Sequence, residues 1–242
     1  MIGIILAAGD GTRLKNSTGE NHCKALQKIN GTKLIEFALG NLADLDIKKV
    51  YIVVGKEGEL VKGAIGYNYK GLDVSYVHQK EQKGLVNALI EALRNLEYNN
   101  DVILQLADEI FINLKIDTIK SFFPASDTAF YCGVTYEDNS QKIKSNFSVE
   151  TDENNALVSC IEKPKHVKNN IKGTGFCIFR TSALDILREI YNENTNTPND
   201  LCDYMNTLIQ KGKAGSVFVV ADKEFNINTS DDLKEIISYL GA

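Results

Sequence analysis

The chain opens with Met1-Ile2-Gly3-Ile4-Ile5-Leu6-Ala7-Ala8-Gly9-Asp10-Gly11-Thr12-Arg13-Leu14. Ile2–Leu6 is an apolar run with little polar interruption, which predicts a strand buried on both faces. The two glycines that follow lack a Cβ, so the backbone can turn sharply and present N–H groups to an anion. Arg13 adds a guanidinium, whose planar fork of donors suits phosphate. The stretch therefore predicts a strand that ends in a loop binding the phosphates of a nucleoside triphosphate.

Two better-known phosphate-binding loops do not match this stretch. The dinucleotide fingerprint needs a third glycine where Leu14 stands, and the Walker A loop needs Gly-Lys-Ser or Gly-Lys-Thr. On spacing alone, a tight glycine-rich turn without any ligand stays open as the alternative.

The first half of the chain alternates between strand-like and helix-like apolar patterns. Strands are predicted at Ile2–Leu6, Lys49–Gly55, Val74–Gln79 and Asp101–Ala107, and helices at Leu34–Leu45, Glu57–Ile65, Gly84–Leu96 and Ile116–Phe123. Such alternation implies right-handed crossovers and a parallel sheet with helices on both faces. Ligands of these sheets bind at the carboxyl ends of the strands, where both the glycine-rich loop and Asp108 are expected.

The second half differs in character. Strands are predicted at Thr128–Thr135, Phe147–Thr151, Ala156–Ile161, Gly175–Phe179 and Ser216–Val220, and helices at Ala183–Tyr191, Leu201–Lys211 and Asp231–Leu240. The segment Tyr136–Ser145 is predicted to be a mobile loop. The expected fold class is α/β, with a Rossmann-like, parallel-rich mixed sheet flanked by helices. One domain is expected over residues 1–242, with two halves at 1–127 and 128–242.

Composition excludes several classes of protein. The net charge of −5 over 242 residues argues against a general nucleic-acid binder, which needs excess Lys and Arg. No apolar stretch approaches the length of a membrane span, and a strand beginning at residue 2 leaves no room for a signal peptide. The five cysteines are scattered and lack C-x-x-C pairs. We expect a cytoplasmic protein that does not bind membranes, and a homo-oligomer stays open.

Leu6–Leu14 closely resembles the N-terminal signature of the sugar-1-phosphate nucleotidyltransferases, such as the glucose-1-phosphate thymidylyltransferases. The resemblance implies the fold of the nucleotide-diphospho-sugar transferases, with a nucleotide-binding half at 1–127 and a sugar-phosphate-binding half at 128–242. It also implies that Arg13 stabilises the departing pyrophosphate and that six loop residues bind the nucleotide: Leu6, Ala7, Ala8, Gly9, Gly11 and Thr12. Cys23-Lys24-Ala25-Leu26 is similar to the family's Pro-Lys-x-Leu element, which implies that Lys24 lies near the α-phosphate. His22, beside that element, is a further candidate phosphate contact.

A glutamine and a glycine have the spacing of the family's base-reading element. In Gln79-Lys80-Glu81-Gln82-Lys83-Gly84-Leu85, Gln79 precedes Gly84 by five residues, as in relatives that use uridine or thymidine nucleotides. A side-chain amide offers a donor and an acceptor to the imide edge of a pyrimidine. The resemblance therefore favours a pyrimidine nucleoside triphosphate, with Gln82 as an ordinary loop residue.

The resemblance also implies a magnesium site. Asp108 stands where relatives bind Mg²⁺ through an aspartate, and carboxylate oxygens suit this hard cation. The second ligand is expected in Asn226-Ile227-Asn228-Thr229, where Asn228 is favoured and Asn226 is a close second. Glu109 is a weaker candidate that is otherwise expected to be solvated. Ser230 is predicted to cap the last helix.

Glu162-Lys163-Pro164 resembles the family's Glu-Lys-Pro element. This implies that Glu162 holds sugar hydroxyls and that Lys163 orients the attacking phosphate as a third catalytic residue beside Arg13 and Lys24. Gly175 lies in a segment similar to the family's sugar pocket. The family's Tyr-Gly-Val is absent, since Lys144-Ser145-Asn146-Phe147 occupies that region.

Together these elements imply transfer of a nucleotidyl group from a nucleoside triphosphate to a sugar-1-phosphate, with release of pyrophosphate. A CTP-dependent cytidylyltransferase acting on a non-sugar phosphate, such as a phosphoalcohol, is the alternative. A non-catalytic binding module is disfavoured because Arg13, Lys24 and Asp108 are all present.

Overall fold

The computed structural model describes residues 1–18, 23–96, 100–124, 126–193 and 197–241. His22 lies outside the described residues. No helix in this part of the chain has the length and apolarity needed to cross a membrane.

The described residues form fourteen strands, nine α-helices and a 3₁₀ helix at Lys24–Leu26. The strands are β1 (Ile2–Ala7), β2 (Lys28–Ile29), β3 (Thr32–Lys33), β4 (Lys49–Val54), β5 (Asn68–Tyr69), β6 (Leu72–His78), β7 (Val102–Leu106), β8 (Glu109–Ile112), β9 (Phe130–Tyr136), β10 (Phe147–Thr151), β11 (Leu157–Glu162), β12 (Ile171–Phe179), β13 (Gly215–Val219) and β14 (Lys223–Asn226). The helices are α1 (Thr12–Thr18), α2 (Leu34–Asp44), α3 (Gly58–Ile65), α4 (Leu85–Leu93), α5 (Ile116–Ser121), α6 (Ser140–Lys144), α7 (Thr181–Asn192), α8 (Leu201–Gln210) and α9 (Ser230–Leu240).

A ten-stranded mixed sheet organises the described residues. Its main path is β11-β10-β12-β7-β1-β4-β6-β5, with β9 paired to β12 and β13 paired to β9. β1 lies between β7 and β4 and is parallel to both. The second half of the chain joins the same sheet because β12 pairs antiparallel with β7. The predicted α/β class with a parallel-rich mixed sheet is confirmed.

Helices cover both faces of this sheet. On β1, Ile4 belongs to a core shared with α4, α7 and α8, whereas Ile5 belongs to a core shared with α2 and α3. Both isoleucines are fully buried, because successive side chains of a strand point to opposite faces. The opening apolar run is therefore inserted between two helical layers, and the loop that follows it emerges at the edge of the sheet.

A small second sheet brings the C-terminal region to that edge. β8 and β14 pair antiparallel, with Glu109 opposite Asn226. Leu14 of α1, Phe225 and Ile236 of α9 are buried in a separate small core beneath this sheet. Neither strand was predicted, because each has only four residues and its partner lies far away in the chain.

Two local predictions are wrong. Ser140–Lys144, inside the predicted loop, forms helix α6, because the Asn139 side chain accepts a hydrogen bond from the Gln141 N–H and Ile143 is buried. The cap of α9 is Thr229 rather than Ser230. The Thr229 side chain and the Asp232 carboxylate bond each other's backbone N–H groups, which forms a capping box.

Candidate active site

The glycine-rich loop runs directly from β1 into α1. Gly11 has a φ of +62°, and a Cβ there would lie 2.7 Å from the Cβ of Lys24. Glycine thus permits both the turn and the close approach of the loop to the 3₁₀ helix. Arg13 follows in the first turn of α1. This geometry brings the two predicted phosphate-binding side chains, Arg13 and Lys24, to the same loop.

The loop forms one wall of a cleft with a volume of about 390 Å³. All eight residues predicted to bind the nucleotide line this cleft, together with four that were predicted to act on the phosphates or the metal. These twelve residues are Leu6, Ala7, Ala8, Gly9, Gly11, Thr12, Gln79, Gly84, Arg13, Lys24, Asp108 and Asn228. Asn228 comes from the second half of the chain, so the cleft is built by both halves.

A lysine joins the two predicted metal ligands. Nζ of Lys24 lies 2.5 Å from Oδ2 of Asp108 and 3.0 Å from Oδ1 of Asn228. Nη2 of Arg13 donates to the same Asn228 oxygen over 2.8 Å. The carboxylate and the amide oxygen therefore converge on one cation. Oδ1 of Asn226 instead accepts a hydrogen bond of 2.6 Å from Nδ2 of Asn228.

This oxygen pair fits a divalent metal that shares its coordination shell with phosphates. A hard cation such as Mg²⁺ prefers oxygen ligands and is held by one or two protein groups when a nucleotide supplies the others. The described residues contain no group of three or more His, Cys, Asp or Glu side chains able to hold a metal by themselves. The arrangement favours Asn228 over Asn226, because Asn228 lines the nucleotide cleft and shares the Lys24 ammonium with Asp108, whereas Asn226 lines only the second cleft described below.

Glu109 is buried and not solvated, contrary to the expectation from sequence. It is 1% exposed, and both of its carboxylate oxygens accept the N–H of Gly175, over 2.9 and 2.8 Å. Burial, followed by the charges of Glu224 and Asp108, raises the pKa of the Glu109 carboxyl. A Cβ on Gly175 would lie 2.2 Å from Cγ of Leu106. Gly175 lines neither the nucleotide cleft nor the second cleft described below, so its predicted contact with the sugar stays a prediction.

The far end of the cleft contains Gln79 and Gly84. Nε2 of Gln79 donates to the Gly84 carbonyl over 3.3 Å and to Oδ1 of Asn87 over 3.0 Å. Both N–H groups of this amide are therefore used within the protein. Its Oε1 is left as an acceptor for a ligand.

Gln82 is a cleft residue that sequence reasoning assigned to an ordinary loop. Its Nε2 donates to the Ala8 carbonyl over 2.8 Å and to Oδ1 of Asp10 over 2.7 Å. The amide thus connects the segment 79–84 to the glycine-rich loop. The sequence places Gln82 three residues after Gln79, but it gives no sign that Gln82 contacts Ala8 and Asp10.

Replacing Gly84 by alanine is expected to destabilise the fold. Gly84 has a φ of +92°, and a Cβ there would lie 2.7 Å from the Asn199 carbonyl. We expect Gly84→Ala to lower the free energy of unfolding by about 1–3 kcal/mol, measured by urea denaturation. Gly63→Ala is the control, because that glycine has ordinary helical backbone and open space at its Cβ. Equal unfolding midpoints for the two variants would contradict this reading of Gly84.

A second cleft, of about 200 Å³, adjoins the first. It shares Arg13 and Asn228 with the nucleotide cleft and is lined mainly by polar side chains: Lys142, Ser145, Asn146, Lys172, Glu224, Asn226, Thr229, Asp232 and Glu235. Lys172 and Glu224 form an ion pair that is almost completely buried. Burial raises the pKa of Glu224, whereas Lys172 lowers it.

Glu162 and Lys163 are not brought to either cleft. Glu162 ends β11, and Nζ of Lys163 lies 3.4 Å from its carboxylate. The Lys163 side chain is 67% exposed, and its backbone has a φ of +46°. Burial raises the pKa of Glu162, and the neighbouring Lys163 lowers it. The predicted roles of both residues stay predictions.

Comparison with known proteins identifies the family. The sequence model of the nucleotidyl transferase family matches residues 2–234. The chain belongs to the nucleotidyl transferase family. This match confirms the resemblance seen in Leu6–Leu14 and extends it over nearly the whole of this nucleotidyltransferase.

Individual relatives agree with this assignment. The UTP–glucose-1-phosphate uridylyltransferase AglF of Haloferax volcanii is 27% identical over 97% of this chain and 94% of its own length. A glucose-1-phosphate thymidylyltransferase of Streptomyces antibioticus is 28% identical over 78% of this chain, which spans only 52% of that protein. The crystal structure of a UDP-glucose pyrophosphorylase with UDP-glucose superposes with a TM-score of 0.81 at 18% identity, covering 100% of this chain and 99% of that one. The fold is thus that of the nucleotide-sugar-forming enzymes.

Proposed function

We propose that this nucleotidyltransferase transfers a nucleotidyl group from a pyrimidine nucleoside triphosphate to a sugar-1-phosphate, releasing pyrophosphate. The observation that carries the proposal is the meeting of Lys24, Asp108 and Asn228 beside the glycine-rich loop. A lysine ammonium can neutralise phosphate oxygens, and a carboxylate and an amide oxygen can bind the metal that accompanies a triphosphate. The match to a sugar-1-phosphate uridylyltransferase over almost its full length supports the choice of acceptor.

The reaction joins an oxygen of the acceptor's phosphate to the α-phosphorus while the bond to pyrophosphate breaks on the opposite side. Such a transfer depends on alignment and charge neutralisation more than on a general base. The loop N–H groups and Arg13 bind the β- and γ-phosphates and take up charge on the leaving group. Lys24, which is 12% exposed, lies in the cleft and neutralises the α-phosphate.

Asp108 and Asn228 are proposed to hold a divalent metal, with Mg²⁺ as the expected ion and Asn226 as the alternative second ligand. When bound, the ion would supply further positive charge to the phosphate oxygens. In the structure the Lys24 ammonium already contacts both oxygens, which indicates that these two groups tolerate a shared cation.

The acceptor is proposed to bind in the second cleft. That cleft adjoins the nucleotide cleft through Arg13 and Asn228, so a ligand there lies next to the phosphates. Its mixture of lysines, carboxylates and amides suits hydroxyl groups, which both donate and accept. Glu162 and Lys163 are exposed, and the Lys163 N–H donates to the carbonyl of Asn146, a residue that lines the second cleft. They remain candidates for the rim of this site.

The orientation of Gln79 predicts a preference among pyrimidines. Its Oε1 can accept the N3–H of uracil or thymine, whereas N3 of cytosine is itself an acceptor. We expect kcat/KM for UTP and dTTP to exceed that for CTP by about 10- to 100-fold, the effect of one unmade buried hydrogen bond. Competition assays with pairs of nucleotides measure this ratio directly.

The test of the proposed function is a matrix of nucleoside triphosphates against sugar-1-phosphates and phosphoalcohols, scored by pyrophosphate release. Release with UTP or dTTP and a sugar-1-phosphate supports the proposal. Release that needs CTP and a phosphoalcohol would establish the alternative cytidylyltransferase activity and would overturn the assignment of Gln79. Absence of release in every combination would count against enzymatic nucleotidyl transfer by this chain.

A further inference from the structure

The glycine-rich loop carries an acid at its centre. Asp10 lies between Gly9 and Gly11, and both it and its neighbours line the nucleotide cleft. A carboxylate in this position repels the triphosphate that the loop is proposed to bind. A loop that binds anions therefore needs a means of controlling this charge.

The Asp10 carboxylate accepts a hydrogen bond from the side-chain amide of Gln82. The two N–H groups of its amide are directed to different parts of the loop, one to the Ala8 carbonyl at 2.8 Å and the other to Oδ1 of Asp10 at 2.7 Å. Among the described residues, Gln82 is the side chain that donates a hydrogen bond to this carboxylate. The residues are 72 positions apart, so the contact exists only in the folded chain.

We infer that Gln82 is a positioning residue that fixes the glycine-rich loop for triphosphate binding by holding the Asp10 carboxylate against the segment 79–84. The inference rests on the proposed function, since it concerns the nucleoside triphosphate. Gln82 also connects the part of the cleft that contains Gln79 and Gly84 to the part formed by the glycine-rich loop. A nucleotide bound along the cleft would then meet a loop whose N–H groups are not masked by the acid.

A double-mutant cycle tests this role through the affinity of the full chain for UTP and dTTP, measured by titration calorimetry with Mg²⁺ and without an acceptor. We expect Gln82→Ala to weaken triphosphate binding about tenfold, because the Asp10 charge is released. Asp10→Asn alone should bind at least as tightly as the unaltered chain. In the Asp10→Asn background, Gln82→Ala should cost less than about twofold, since the charge to be controlled is gone.

Salt and a neighbouring residue provide the controls. The loss caused by Gln82→Ala should shrink between about 0.05 M and about 0.5 M salt, because exposed charges are screened. Glu81→Gln removes a charge from the same segment and should leave binding unchanged, since Glu81 forms an ion pair with the exposed Lys83 and lines neither cleft. In the steady state, Gln82→Ala should raise KM for the nucleotide and leave KM for the acceptor unchanged.

Two results would overturn the inference. Equal losses from Gln82→Ala with Asp10 and with Asn at position 10 would show that the two residues act independently. A changed ratio of UTP to CTP affinity in Gln82→Ala, without rescue by Asp10→Asn, would make Gln82 a reader of the base instead. If the unaltered chain binds neither UTP nor dTTP, the proposed function fails first and the inference fails with it.

Discussion

Pyrophosphate release is expected to fall about 1,000-fold when Asp108 is replaced by asparagine, a change that keeps the shape of the side chain. Asp108 follows β7 at the edge of the sheet and contacts the Lys24 ammonium at 2.5 Å. The asparagine retains one oxygen but loses the negative charge that attracts both Lys24 and the proposed metal. Initial rates with saturating nucleotide and acceptor measure the loss in kcat, and a metal titration measures the accompanying loss in apparent metal affinity.

Asp127→Asn is the matched control for this experiment, because Asp127 is exposed and lies outside both clefts. Its activity should equal that of the unaltered chain. The melting temperature of Asp108→Asn should stay within about 4 °C of the unaltered chain, as a change of 1 kcal/mol shifts a protein of this size by that amount. Full activity in a folded Asp108→Asn variant, or activity that survives complete removal of divalent metal by a chelator, would refute the proposed metal site.

Replacing Lys24 by methionine is expected to lower kcat by about 100- to 1,000-fold, the range observed when one stabilising group is removed from developing charge. Methionine keeps the length and apolar stem of the side chain but provides no charge. Lys24 is largely buried and contacts Asp108 and Asn228, which come from opposite halves of the chain.

The control for Lys24→Met is Lys28→Met, since Lys28 is exposed on the nearby strand β2. Single-turnover rates separate chemistry from binding of the nucleotide. A Lys24→Met variant with unchanged kcat but a raised KM would show that Lys24 binds the triphosphate equally well in the ground state and the transition state. The proposed action on the α-phosphate would then be wrong.

Much of the fold was predictable from sequence where its causes are local. The opening strand and the helix at Leu34–Asp44 were predicted closely, because an apolar run and a 3.6-residue period follow directly from which side chains are buried. The strand at Phe147–Thr151 was predicted with the bounds that the structure has. By contrast, β8 and β14 are each four residues long and form only against each other. Short strands whose partner is remote carry too weak a local pattern to be detected.

The candidate site, too, was predictable only where its causes are local or where the family resemblance applied. The pattern of the first fourteen residues predicted a phosphate-binding loop, and the family resemblance added Lys24, Gln79 and Asp108. The structure places the loop and these three residues in one cleft. The pattern did not reveal that Glu109 is buried behind Asp108, because an exposed and a buried glutamate look alike in sequence. Nor did it reveal the contact between Gln82 and Asp10, which depends on how two loops meet.

The sequence by itself determined the buried strand, the glycine-rich turn and the charges available to bind phosphate, since these follow from side-chain chemistry and from neighbours along the chain. Only the tertiary structure decided which groups share a cation. Lys24 is separated from Asp108 by 84 positions and from Asn228 by 204, yet its ammonium contacts both. The physical reason is that parallel strands end at one edge of the sheet, and that β14 pairs with β8 and so brings the Asn228 side chain to that edge.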